Sequence, residues 1–140
     1  MSRARLGEAT EVFKAAGHPA RLRILCMLRS GSLCVCQIKA VLGLAVSTVS
    51  EHLAELKRAR LLVERKDGRF VSYGLSEDAA VERLLTPLWA GLRNDPEVAA
   101  DAKLARDLRR IPVEKLCSVD LDVRRLGLRP EALRRKERSA

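Results

Sequence analysis

Apolar positions recur at helical spacing through the first sixty or so residues, and then the period changes. Residues 8–16, EATEVFKAA, read as a helix that Gly17 ends. A second follows as PARLRILCMLRSG, with Pro19 in a first-turn position, where its missing N–H is not needed, and Gly31 past the end. Leu22, Leu25, Cys26 and Leu28 keep helical spacing, so this helix has one apolar face. A third helix is expected from about Cys34 to Leu42, where Gly43 stops it. After the short turn GLA a fourth runs from about Val46 to Arg60, with Val49, Leu53 and Leu56 as an i, i+4, i+7 stripe.

The segment LVERKDGRFVSYGLS reads as two short strands around Asp67-Gly68. Asp-Gly between strands is a hairpin signal, because a type I′ turn needs positive φ at both central residues. Residues 77–93 return to helix, with Val81, Leu84, Leu85, Leu88 and Leu92 apolar. Pro87 lies inside that run and predicts a kink or a restart. Residues 96–110 are again helical, with Arg106, Arg109 and Arg110 near the end. From Ile111 onward the signals weaken, and the final residues read as disordered. The order helix, short turn, helix, hairpin defines the fold class: mainly α with a small β-hairpin, a winged helix-turn-helix.

In that architecture the second helix of the pair enters the major groove with its N-terminal residues at base edges. Here these are Ser47, Thr48, Ser50, Glu51 and His52. Ser and Thr can hydrogen-bond bases or phosphates, and Glu51 can accept from a cytosine amino group. Lys57, Arg58 and Arg60 lie further along, where a basic side chain meets backbone rather than bases. The hairpin carries Arg65, Lys66 and Arg69 around its tip. Backbone contacts supply affinity and position, while base contacts specify.

Composition agrees with this picture. A chain of 140 residues favours one domain with a tail; at 47% hydrophobic but 3% aromatic, its core must be aliphatic. Lys and Arg number 27 against 18 Asp and Glu, and the net +9 points to a polyanionic partner. No apolar run approaches the ~20 residues of a membrane span, and MSRARLGEATEVFKAAG has no signal-peptide core. A cytoplasmic protein is expected, without a membrane partner. Disulfides are rare there, and Cys26, Cys34, Cys36 and Cys117 are unevenly spaced for a disulfide framework. A phosphatase-like loop needs Cys and Arg separated by five residues; Cys117 and Arg124 are separated by six, without a Gly-rich loop. There is no Ser-His-Asp cluster and no nucleotide motif, so an enzyme is not expected.

Four segments, GHPARLRIL, LCVCQI, STVSEHLAEL and ARLLVERKDGRFVSYGLS, together resemble the arsenical-resistance repressor (ArsR) family of metal-sensing repressors over residues 8 to 95. The resemblance implies a homodimer on palindromic double-stranded operator DNA, released when a thiophilic ion binds. No cofactor is required for DNA binding. The dimer interface would involve the segments near 8–16 and 77–93. Residues 1–95 would form the DNA-binding and dimerisation domain, and 96–140 a C-terminal helical extension with a basic, partly flexible tail. The resemblance assigns ligand roles to Cys34 and Cys36. Arsenic sensors of the best-known type carry a third cysteine three residues after the second; here that position is Lys39. The family's Asp and His zinc site on the last helix has no counterpart, since the only histidines are His18 and His52.

The chemistry of a C-x-C pair suits a soft ion. Thiolates are soft donors, and a helix N-terminus lowers a thiol pKa. At ~100° per residue, cysteines two apart on a regular helix face nearly opposite directions. Bringing both to one ion would distort the start of the helix that precedes the recognition helix, a two-state element that an inducer can bias. Trivalent arsenic or antimony takes three sulfurs in a pyramid. The third could be Cys117, an external small thiol such as glutathione, or Cys26. Cys26 lies on an apolar face and is read as core. As(III) or Sb(III) is the expected inducer. The alternative keeps the fold and changes the signal to Cd(II), Pb(II) or thiol oxidation. Cadmium and lead sensors of the family usually recruit cysteines from an N-terminal arm, and this N-terminus has none.

Overall fold

The computed structural model describes residues 5–118, and for Asp67, Cys117 and Ser118 the backbone alone. Helices α1 (Leu6–Ala16), α2 (Pro19–Met27), α3 (Val35–Leu42) and α4 (Val46–Arg58) precede the wing, and α5 (Ala79–Leu92), α6 (Pro96–Arg109) and α7 (Val113–Ser118) follow it. Strands β1 (Leu33–Cys34), β2 (Leu62–Asp67) and β3 (Phe70–Leu75) form one antiparallel sheet in the order β1-β3-β2. The fold is the expected winged helix-turn-helix, mainly α with a small sheet.

Local signals set the helix ends. His18 caps α2: its Nδ1 accepts from the Ala20 N–H at 3.1 Å, and Pro19 occupies the first helical position. Gly43 ends α3 in the left-handed conformation, φ 68°, and its N–H donates to the Lys39 carbonyl. A side chain would be strained there, so glycine fixes the tight turn between the two helices of the reading pair. Of the kink or restart expected at Pro87, the restart is absent: Pro87 stands inside one helix running from Ala79 to Leu92.

The hairpin differs by one residue from its expected turn. Asp67 pairs with Phe70, so Gly68 and Arg69 are the two central residues. Gly68 has φ 61° and Arg69 has no positive φ, the pattern of a type II′ rather than a type I′ turn. Both types suit the strand twist, but only the observed one places Arg69 at the tip.

The core is aliphatic. Ile24 and Leu25 of α2, Ile38 and Val41 of α3, Val49, Leu53 and Leu56 of α4, and Leu61 pack in one cluster. Leu104, Ala105 and Leu108 of α6 and Leu116 of α7 join the same cluster. Helix α6 packs on α2 and α3, and α7 packs on α3. Polar clamps reinforce this docking. Arg23 Nε and Nη2 donate to the two Asp101 oxygens at 2.8 and 2.9 Å, and its Nη1 lies 3.5 Å from Glu97. Arg109 donates to Ser30 Oγ at 2.8 Å and to the Gly31 carbonyl at 2.7 Å. Helix α7 lies where the sequence signal weakens: it is short, and its described inward residue is Leu116. The final residues, expected to be disordered, lie outside the described residues.

Candidate nucleic-acid interface and thiol site

The start of α4 presents a polar, open face. Ser47, Ser50 and Glu51 are exposed, and Thr48 is half-buried beside them. Ala45, at the N-cap, offers no side-chain acceptor. The first-turn N–H groups are thus left for solvent or for a phosphate. The opposite stripe of Val49, Leu53 and Leu56 is buried and fixes the rotation of the helix.

His52 points elsewhere. It is half-buried, and its ring centroid lies 4.6 Å from that of His18. Burial depresses its pKa, and the neighbouring His18 and Arg21 push it further down. The sequence offered no signal for this pairing, because the two histidines are far apart in the chain.

The wing is joined to α4 by charge. Lys57 Nζ donates to Glu64 of β2, and Tyr73 Oη of β3 donates to the same carboxylate at 3.1 Å. These two hydrogen bonds hold the Glu64 carboxyl below its ordinary range. Arg58 pairs with Glu55 at 2.8 Å within α4, and Arg65 lies 3.9 Å from Glu77. Lys57, Arg58 and Arg65 are therefore partly committed to protein contacts. Lys66 and Arg69 are exposed near the hairpin tip and take part in no ion pair among the described residues.

At the thiol pair the structure departs from the expected helix start. Cys34 is not helical. It is the N-cap of α3, with φ −83° and ψ 165°, and it ends β1, opposite Ser72 of β3. Its N–H donates to Gln37 Oε1 at 2.8 Å, and its sulfur faces the Gln37 N–H, a reciprocal capping box. Cys34 is buried and Cys36, in the first turn, is half-buried. The helical rotation of ~100° per residue therefore does not separate the two sulfurs. Strand β1 leaves no signal in the sequence, because two residues show no alternation.

The other two cysteines lie on other helices. Cys26 is buried in α2, and burial pushes its thiol up to about 11. Cys117 belongs to α7, whose packing partner is α3. Among the described residues, no group of three or more His, Cys, Asp and Glu is arranged to hold a metal ion. No described helix is long and apolar enough to cross a membrane.

A helix-turn-helix with a three-stranded wing, an open recognition face and basic side chains at the wing tip defines a DNA-binding regulator of transcription. Comparison with known proteins gives the family. Residues 18–63 match the family model described as bacterial regulatory protein, arsR family. The chain is 31% identical over 111 residues to the arsenical resistance operon repressor of Escherichia coli K12, covering 79% of this chain and 89% of that one. It is 42% identical over 76 residues to an uncharacterised helix-turn-helix transcriptional regulator of Methanocaldococcus jannaschii, covering 54% of this chain and 85% of that one. Among solved structures, a homodimeric winged helix-turn-helix DNA-binding domain from Mycobacterium bovis superposes with a TM-score of 0.55 at 27% identity, covering 63% of this chain and 82% of that one. The chain belongs to the ArsR family.

Proposed function

We propose that this chain is a metalloid-responsive repressor that binds operator DNA as a homodimer and is released when As(III) or Sb(III) binds Cys34 and Cys36. The observation that carries the reading is the placement of the LCVC segment. Cys34 joins β1 to α3, so one residue is tied both to the wing, through β3, and to the first helix of the reading pair. The similarity to an arsenical resistance repressor over most of both chains supports the metalloid as inducer.

The proposed switch follows from what ligation would disturb. Cys34 is buried, and its backbone is held by the β1–β3 ladder and by Gln37. Drawing its sulfur together with that of Cys36 onto one ion works against the Cys34–Gln37 box and the end of β1. Strain there reaches α3 directly and the wing through β3. A ligand shifts a two-state equilibrium by its differential affinity for the two states, and the DNA-free form is the one that can relax around the ion. Cys117 is the proposed third sulfur, because α7 packs on α3; a small external thiol is the substitute.

On the DNA side, Ser47, Thr48, Ser50 and Glu51 are proposed to face base edges and phosphates, with Lys66 and Arg69 on the backbone from the wing. His52 would act beside them from its half-buried place against His18. The dimer, as in the M. bovis domain, would present two such units to a palindrome.

The test is a gel shift with a double Cys34→Ser, Cys36→Ser variant. It should hold the operator as the parent does and ignore arsenite. Release of the double variant by arsenite would remove the site assignment. Running Sb(III), Cd(II), Pb(II), Zn(II) and peroxide beside arsenite identifies the inducer.

A further inference from the structure

We infer that the outward stripe of Lys103, Arg106 and Arg110 on α6 binds the phosphate backbone of DNA flanking the site read by α4. This extends the proposed DNA contacts of the winged helix-turn-helix and rests on DNA binding by that motif.

The stripe is built by spacing. Residues 103, 106 and 110 fall within one narrow sector of a helix at ~100° per residue, and all three are exposed. None of them takes part in an ion pair among the described residues. The acids of α6 are used differently. Asp95 caps the helix, accepting from the Glu97 and Val98 N–H groups, while Glu97 and buried Asp101 hold Arg23. Asp107, half-buried, is the one acid on the edge of the stripe. The fourth cation of the region, Arg109, is turned inward to Ser30 and Gly31. The helix thus directs Asp95, Glu97 and Asp101 to protein partners and presents ammonium and guanidinium groups to solvent.

Its position names the occupant. Helix α6 packs against α2 and α3, and α3 is the first helix of the reading pair, which crosses the sugar–phosphate backbone in this motif. A cationic face on the helix packed beside α3 is next to the reading pair, and its charge complements the phosphates that flank the site. The clamps from Arg23 and Arg109 hold α6 on the reading unit, so the stripe is carried with it. Long basic side chains reaching a neighbouring phosphate give sequence-independent, salt-sensitive affinity.

The test uses the full chain and a duplex selected in vitro for binding to it, either trimmed to the selected core or extended by about ten base pairs on each side. Binding is read by fluorescence anisotropy across a KCl series, for the parent and for a triple Lys103→Gln, Arg106→Gln, Arg110→Gln variant whose circular dichroism matches the parent. Each lost phosphate contact lowers the slope of log K against log salt by about 0.9, so the variant should lose about 2 to 3 per protomer on the extended duplex. Its affinity there should fall about tenfold or more, with little change on the trimmed core. An unchanged slope on the extended duplex overturns the inference. An equal loss on both duplexes also overturns it, because a diffuse field rather than flanking contact would then be at work. Failure to select any duplex with the parent chain would instead count against DNA binding by the motif itself.

Discussion

Arg23 holds Asp101 fork to carboxylate, 78 residues away along the chain, with the Asp101 side chain 2% exposed and that of Arg23 17% exposed. The hydrogen bonds that Arg23 donates to Asp101 raise its pKa above the ordinary value. Removing one partner of a buried pair costs about 3–5 kcal/mol, and Glu97, 3.5 Å from Arg23, offsets part of that cost here. Asp101→Ala should therefore lower unfolding stability by that order in urea denaturation. Because α6 is held on α2 by this pair, amide exchange in α6 should rise more than exchange in α4. A loss below about 1 kcal/mol would show that the apolar contacts of Leu104 and Leu108 hold α6 by themselves.

His52 is depressed by burial, by His18 and by Arg21. The folded chain keeps His52 neutral at a pH where the unfolded chain, near the ordinary 6.5, takes up a proton. Stability from this group is complete above that value and is lost as pH falls through the folded pKa. His18→Asn keeps an N-cap acceptor for α2 and removes the facing ring. In an NMR titration, the His52 midpoint of this variant should move up toward 6.5. An unmoved midpoint would assign the whole shift to burial and Arg21.

Cys26 carries the opposite kind of shift. Burial raises its thiol from 9.0 to about 11, against a smaller lowering effect of Arg29. The folded state therefore holds a proton that the unfolded state releases, and stability declines as pH rises from 9.0 through about 11. Cys26→Ala should remove that part of the alkaline decline, measured as the difference between the two unfolding profiles. At neutral pH the protonated, buried thiol should react with iodoacetamide later than that of half-buried Cys36, followed by peptide mass spectrometry. Early alkylation of Cys26 would mean that α2 opens locally.

Much of the fold is legible in the residues, for physical reasons that differ by element. Val49, Leu53 and Leu56 announce α4 because a half-buried helix must repeat its apolar stripe, and Gly43 announces the turn because a Cβ is strained there. The wing is legible from its turn chemistry, but its register is not. Asp67 and Gly68 could serve as either pair of central positions, and strand pairing decided for Gly68 and Arg69. Strand β1 is invisible because two residues have no period; only Ser72 and Tyr73 across the ladder make Leu33 and Cys34 a strand. The same long-range pairing takes Cys34 out of the helix, which spacing alone could not reveal. Helix α7 has too few turns to show a stripe, and its evidence is tertiary: Leu116 buried in the common core.

Cys117 is the residue on which the proposed three-sulfur site turns. Lys39 stands where the best-known arsenic sensors have their third cysteine, so in the proposed site Cys34 and Cys36 would supply two sulfurs and the pyramid would need one more. The backbone of α7 packs on α3, which places Cys117 on an element adjoining the one that Cys34 and Cys36 begin. Cys117→Ser should keep DNA binding intact and lower the arsenic–sulfur coordination number, by X-ray absorption, from three to two in buffer free of small thiols. Adding glutathione should restore three, since an external thiolate can complete a half-open site that already holds the ion. Arsenite should then release the variant from DNA only at higher concentration, or only with glutathione present. Three sulfurs in the variant without added thiol would place the third ligand on the remaining Cys26, despite its burial and raised pKa.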